Sequence, residues 1–241
     1  MARPAAGNAR HSERSEGQVN ILYKNIIFDL GGVVVDFNPR VFLVDHFMNE
    51  KLEDALYAIT FGSEEWLEID AGLLSREEGE RIMREKGAAM HRSFEVDVIL
   101  DDWYDILHTR DDVVQLIKRL KKRGYNVYYL SNISHDVLAM LRQRKFWKLF
   151  DGGIASCEVH VTKPDPRIYQ VLLKRYGLSA TESIFVDDNE KNAAAANQVS
   201  ITGLQFKNVR TLQRALVDLG IDCDRRPNKN RITAVNPAAR R

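Results

Sequence analysis

Five apolar runs of strand length, separated by segments of helix length, constrain this chain more than any other feature. They are "NIIFDL" (25–30), "YNVYYLSN" (125–132), "GGIAS" (152–156), "SIFVDDN" (183–189) and "ITGLQF" (201–206). The strongest are apolar at nearly every position instead of alternating, as expected of strands covered on both faces. Between them lie the amphipathic "DDVVQLIKRLKKRG" (111–124), the "PRIYQVLLKRYG" segment (166–177) and the alanine-rich "EKNAAAANQV" (190–199). Basic residues crowd the end of the first, and Gly124 and Gly177 stand where helices stop. Strand and helix in alternation predict an α/β fold, a doubly wound parallel sheet of the Rossmann-like kind.

Residues 38–108 break the rhythm. No strong strand appears there, whereas "RVFLVDHFM", "KLEDALYAI", "SREEGERIMREKG" and "VDVILDDWYDILH" all carry helical patterning. The predicted organisation is a core made of 21–37 and 109–220, with an all-helical cap at 38–108 inserted after strand one. Residues 1–20 read as a disordered leader without an apolar signal run, and 221–241 as a flexible polar tail.

Composition excludes several classes. The 241 residues are 44% hydrophobic and 29% charged with a formal net charge of +1, which leaves no basic field for nucleic acid and no polybasic membrane surface. No segment approaches the ~18 consecutive apolar residues of a membrane span. Cys157 and Cys223 lie far apart without metal-ligand spacing, so reduced thiols and a cytoplasmic location are expected. The expected state is a monomer or homodimer.

Ligands of open α/β sheets bind at the carboxyl ends of the strands. Those ends carry Asp29, then Ser131 and Asn132, then Asp187 and Asp188, with Lys163 following the third strand in "VTKPDPRIY". Singly, each has an ordinary alternative: Asp29 as a turn former, Ser131 as a helix cap, Lys163 as a solvated loop residue. Adjacent Asp187 and Asp188 at a buried strand end suggest a cation. Together these groups suit phosphoryl transfer. A carboxylate attacks phosphorus, a hard cation such as Mg²⁺ and a lysine offset the negative charge, and hydroxyl and backbone donors hold the phosphate oxygens. Gly31 and Gly32 let the backbone approach closely.

"FDLGGVVVD", "YLSN", "TKPDPRIY" and "FVDDNEKN", in that order, resemble the haloacid dehalogenase-like hydrolase superfamily across residues 24–215, and the helical-cap phosphatases within it. The first motif is most similar to the branch of α-D-glucose-1-phosphate phosphatases. The resemblance implies that Asp29 is the nucleophile and a metal ligand, with the Gly31 carbonyl, Asp187 and Asp188 completing an Mg²⁺ site. It further implies that Ser131, Asn132, Gly32 and Lys163 bind phosphate, that Lys163 pairs with Asp29, and that Asn192 supports the acidic loop. The departure is Gly31, where family phosphatases carry a second aspartate that serves as acid and base. Asp36, Asp45 and His46 are weak substitutes for it, and Trp66, Trp103 and Tyr104 read either as substrate lining or as core. The activity implied is Mg²⁺-dependent hydrolysis of a small phosphorylated metabolite, a sugar phosphate among the candidates, through an aspartyl phosphate. A catalytically silent phosphate-binding protein is the alternative. A phosphomutase ranks below both because it too needs the missing acid, and dehalogenation is disfavoured by the paired acids.

Overall fold

In the computed structural model the described residues are 23–223. Every residue of β1 (Asn25–Phe28) is buried, as a central parallel strand demands. It pairs with β2 (Asn126–Ser131) on one side and β4 (Ser183–Asp187) on the other. Outside these lie β3 (Gly152–Ala155) and β5 (Thr202–Gln205), giving an all-parallel sheet in the order β3-β2-β1-β4-β5. Phe28 stands opposite both Tyr129 and Val186, so Asp29, Ser131 and Asp187 emerge at one edge.

Side-chain alternation divides the sheet between two cores. Ile26, Phe28, Val127, Tyr129, Ile184 and Val186 face α6 (Asp111–Lys122), α7 (His135–Arg142) and α11 (Val209–Asp218). Ile27, Tyr128, Leu130 and Phe185 face α9 (Pro166–Tyr176) and α10 (Glu190–Gln198). Each fully buried Ile, Leu, Val or Phe stabilises the fold by about 1.5–3 kcal/mol relative to exposure. The double burial explains why these strands read as continuous apolar runs. The short α8 (Ser156–Val159) follows β3 directly.

The cap comprises α1 (Pro39–Phe47), α2 (Glu50–Ile59), α3 (Glu64–Asp70), α4 (Arg76–Ala89) and α5 (Ser93–Asp102), followed by a 3₁₀ turn over Trp103–Ile106. Four of its helices start on a side-chain cap: Asn38, Asn49, Ser63 and Ser75 accept the N–H groups of Val41, Leu52, Trp66 and Glu78. Helices α3 and α11 were not expected, and α7 was foreseen only as a helix with Ser131 as its cap, whereas Ser134 precedes it. Helices α3 and α7 are too short, at seven and eight residues, to display a helical period. Helix α11 lies beyond the last strand, where no chemistry drew attention.

The core reaches further than its expected end at residue 220. Ile221 and Cys223 are buried, and the Cys223 carbonyl accepts from Arg119 Nε at 3.2 Å, so residues 221–223 pack on the core and are not tail. The leader expected at 1–20 and the remainder of the tail lie outside the described residues. Among the described residues, no helix is long and apolar enough to cross a membrane.

Candidate active site

Asp29 leaves β1 at the carboxyl edge of the sheet. Its N–H extends the ladder to the Val186 carbonyl at 2.8 Å, and its Oδ1 accepts from the Leu30 N–H at 2.7 Å. Its Oδ2 lies 2.8 Å from Lys163 Nζ, and the same ammonium donates to Asp187 Oδ2 at 2.6 Å. The Lys163 and Asp187 side chains are 1% and 0% exposed, so the charges meet away from bulk water. Burial works against the lysine's charge, but Asp29 and Asp187 outweigh it and hold its pKa above the ordinary value. For Asp29, burial is the largest influence; Asp187 and Asp188 add to it, Lys163 opposes it, and the carboxyl is pushed up to about 7. One lysine therefore does not neutralise this cluster, and a further cation would lower its energy.

Asp187 is fully committed within the protein. Its Oδ1 accepts from the Asn189 N–H at 2.8 Å, and Asn192 Nδ2 lies 3.2 Å from both of its oxygens. Asn192 is in turn fixed by its carbonyl, which accepts from Tyr169 Oη at 2.8 Å. Asp188, by contrast, is exposed, with its carboxyl raised first by burial and then by Asp187. Its carboxylate lies against Gly32, where a Cβ would come within 2.3 Å of Oδ2, and Gly32 has φ +75°. Both facts require glycine at 32. At Gly31 neither applies: a Cβ there would meet Phe37 at an ordinary 3.6 Å. Asp29, Asp187 and Asp188 each offer an oxygen within 4.8 Å of the others. Three carboxylates so arranged form a hard oxygen donor set that fits Mg²⁺.

Asn132 and the backbone of Lys163 bond to each other in both directions, Lys163 N–H to Oδ1 at 2.7 Å and Nδ2 to the Lys163 carbonyl at 2.9 Å. The oxygen and one amide proton of Asn132 thus hold the lysine loop. Ser131, 1% exposed at the end of β2, lies in the wall of a cavity of about 50 Å³ beneath the cap. Gly31, Phe37, Trp66, Asp70, Trp103 and Asn132 share that wall. Trp66 and Trp103 are both core and lining: they pack edge to face with ring centroids 4.8 Å apart. Tyr104 turns away and donates to Asp136 Oδ2 at 2.6 Å.

The remaining expected acids stand elsewhere. Asp36, Asp45 and His46 line a second, wider groove, whose wall also includes Gly32 and Asp188. There Asp36 lies 3.6 Å from Arg110, and His46 Nδ1 is 2.7 Å from the Phe42 carbonyl. Sequence reasoning missed Asp70, which lines the cavity, and Arg76, which packs on the rings of the lining residues Trp66 and Trp103. Asp70 ends α3, and Arg76 begins α4 and spans to the core, donating to Ser134 Oγ at 3.0 Å and Asp136 Oδ2 at 3.2 Å. The run "EIDAGLLSREE" held the only available signal, an acid before a glycine turn and a Ser-x-x-Glu capping box.

Comparison with known proteins places this geometry. The profile described as "Hydrolase: haloacid dehalogenase-like hydrolase" matches residues 23–200, three-quarters of the chain. The chain belongs to the haloacid dehalogenase-like hydrolase family. This hydrolase is 32% identical over 186 residues to a sesquiterpene phosphatase of Aspergillus oryzae, covering 76% of the chain and 90% of that protein. It is 26% identical to a D-ribitol-5-phosphate phosphatase of Bacteroides thetaiotaomicron, covering 78% of the chain and 93% of that protein. A family enzyme of known structure from Bacteroides thetaiotaomicron, described in complex with magnesium and inorganic phosphate, shares its fold with a TM-score of 0.59. That enzyme is 24% identical, with 77% of this chain and 94% of the other covered.

Proposed function

We infer that this hydrolase is a phosphatase that cleaves a small phosphate monoester by way of an aspartyl phosphate on Asp29. The single observation that carries the reading is the buried Asp29–Lys163–Asp187 ion cluster beside Asp188, at the sheet edge where Ser131 emerges. Asp29 Oδ is the attacking atom. Lys163 holds it in one rotamer and presents positive charge to the phosphate, while Ser131 and the Gly32 backbone offer hydrogen bonds to the phosphate oxygens. Asp29, Asp188 and the Gly31 carbonyl, with Asp187 behind them, would hold Mg²⁺, which would supply the positive charge that lets one anion approach another. The two phosphatase relatives support the same reaction class. The aromatic lining of the cavity favours a leaving group with an apolar face over a bare sugar.

The test is phosphate release with Mg²⁺ across p-nitrophenyl phosphate, a hexose 1-phosphate, a pentitol phosphate and farnesyl monophosphate. Turnover that disappears in Asp29→Asn is the expected result; no release above that variant on any ester sinks the reading. A second reading, phosphate binding without turnover, is favoured by Gly31 alone and predicts ligand-induced thermal stabilisation without phosphate release.

A further inference from the structure

We propose that Asp70, delivered from the cap, is the acid and base that this active site uses in place of the side chain absent at position 31. The proposal rests on the phosphatase reading above. Its first support is placement: Asp70 shares one cavity wall with Gly31, Ser131 and Asn132, and its carboxyl is near enough to Lys163 to feel that charge. Its second support is that the turn carrying it is fixed to the core. Ser156 Oγ donates to the Asp70 carbonyl, and His160 Nδ1 lies 3.0 Å from the Ala71 carbonyl. Gly72, at φ +68°, packs so tightly on the Cys157 backbone that a Cβ would come within 2.4 Å of the Cys157 carbonyl oxygen. The three consecutive residues 70–72 therefore dock on the segment that follows β3, which fixes the backbone that carries Asp70.

The surroundings suit proton transfer. Arg76 of α4, Asp136 of α7, Lys163 and the Trp66 side chain are the charged and polar groups that face Asp70. Burial dominates and Asp136 adds to it, against Arg76, a hydrogen bond from Trp66, and Lys163, leaving the carboxyl at about 7. An acid poised near neutral pH both holds a proton and releases it.

The step balances. As Asp29 Oδ bonds to phosphorus, the bond from phosphorus to the bridging oxygen breaks, and its electron pair passes to that oxygen with the proton of Asp70. The alcohol departs and Asp70 is left as carboxylate. It then takes a proton from water as the water oxygen bonds to phosphorus. The Asp29–phosphorus link breaks, inorganic phosphate leaves, and Asp70 is protonated again. The sum is ester plus water giving alcohol plus phosphate.

A proton donor matters most when the leaving oxygen is basic. The decisive comparison is kcat/KM for an aliphatic phosphate ester against p-nitrophenyl phosphate, in wild type and Asp70→Asn. The loss on the aliphatic ester should exceed the loss on the aryl ester by about 100-fold, within the ~10²–10⁴ that general acid–base help supplies. In stopped flow, the variant should also show a burst of nitrophenolate, because attack by water is slowed after the aryl group has gone. Asp70→Ser reads the same ratio without packing an amide. Gly31→Asp added to Asp70→Asn should restore the aliphatic ester, since position 31 has room for a side chain. Equal losses on both esters without a burst overturn the proposal and leave the phosphatase reading standing. A wild type inactive on both esters overturns the two together.

Discussion

Asn132 holds Lys163 by its backbone, accepting from its N–H at 2.7 Å and donating to its carbonyl at 2.9 Å. This mutual pair connects the end of β2 to the loop that aims the lysine at Asp29. Asn132→Ala should therefore lower kcat through a misplaced Lys163 and destabilise the fold by about 1–3 kcal/mol, the usual cost of orphaning buried polar groups. Urea unfolding and steady-state kinetics check both parts. Asn132→Asp keeps the acceptor but loses the donor, and should fall between wild type and Asn132→Ala.

The adjacent glycines should behave oppositely. Gly32→Ala drives a methyl group into the Asp188 carboxylate from a left-handed backbone, so Mg²⁺ affinity and turnover should both drop sharply. Gly31→Ala meets Phe37 only at contact distance and should be tolerated in stability and in Mg²⁺ binding. Calorimetric titration of Mg²⁺ into the two variants separates them.

Asp70 carries a pH signature in stability. Its carboxyl ionises at about 7 in the folded protein, against an ordinary 3.8. A raised acid favours the folded state below the ordinary value and loses that contribution as pH climbs through the folded one. Asp70→Asn removes this dependence, so the variant should gain on wild type between about pH 4 and pH 7, by on the order of 2–4 kcal/mol at the plateau. Chemical denaturation at pH 5 and pH 8 without metal measures the difference. A constant offset at both would show that the carboxyl ionises normally.

Arg76 fastens cap to core through Ser134 and Asp136 while its guanidinium lies 4.9 Å from the Trp66 ring centroid and 5.1 Å from that of Trp103. Arg76→Met keeps much of the apolar stem and removes the hydrogen bonds. The expected result is a higher KM with faster tryptic cleavage inside α4, giving one product that carries β1 and another that carries β2–β5. Unchanged proteolysis would mean that the aromatic packing alone closes the cap.

The sheet was legible because its strands are buried on both faces, and that burial writes apolar runs that need no neighbours to be read. The rim was legible for a related reason: Asp29, Ser131 and Asp187 each follow directly from a strand, so position along the chain gives position in space. Lys163 was readable as a charge in the right place, and its pairing with Asp29 followed from the resemblance, whereas its second carboxylate, Asp187, was not foreseen. Asp70 and Arg76 were invisible because their meaning depends on how a helical insert docks. Nothing in "EIDAGLLSREE" tells which core segment it will touch. The bonds that Asn132 makes to the Lys163 backbone were not foreseen either, because a pairing across 31 residues is not encoded in local patterning.

The strand order β3-β2-β1-β4-β5 also sets two clocks in the molecule. Amide protons of β1, bonded on both sides at the middle of the sheet, should exchange with solvent only when the whole domain unfolds. The turn at 70–72, docked by two side-chain hydrogen bonds and one close backbone contact, should release its amides by local opening at a smaller free energy than global unfolding, while staying docked most of the time. Under the proposed mechanism the nucleophile would sit on the slowest part of the protein and the proton carrier on a segment that opens locally. Substrate would then enter and alcohol leave with Asp29 still in its place.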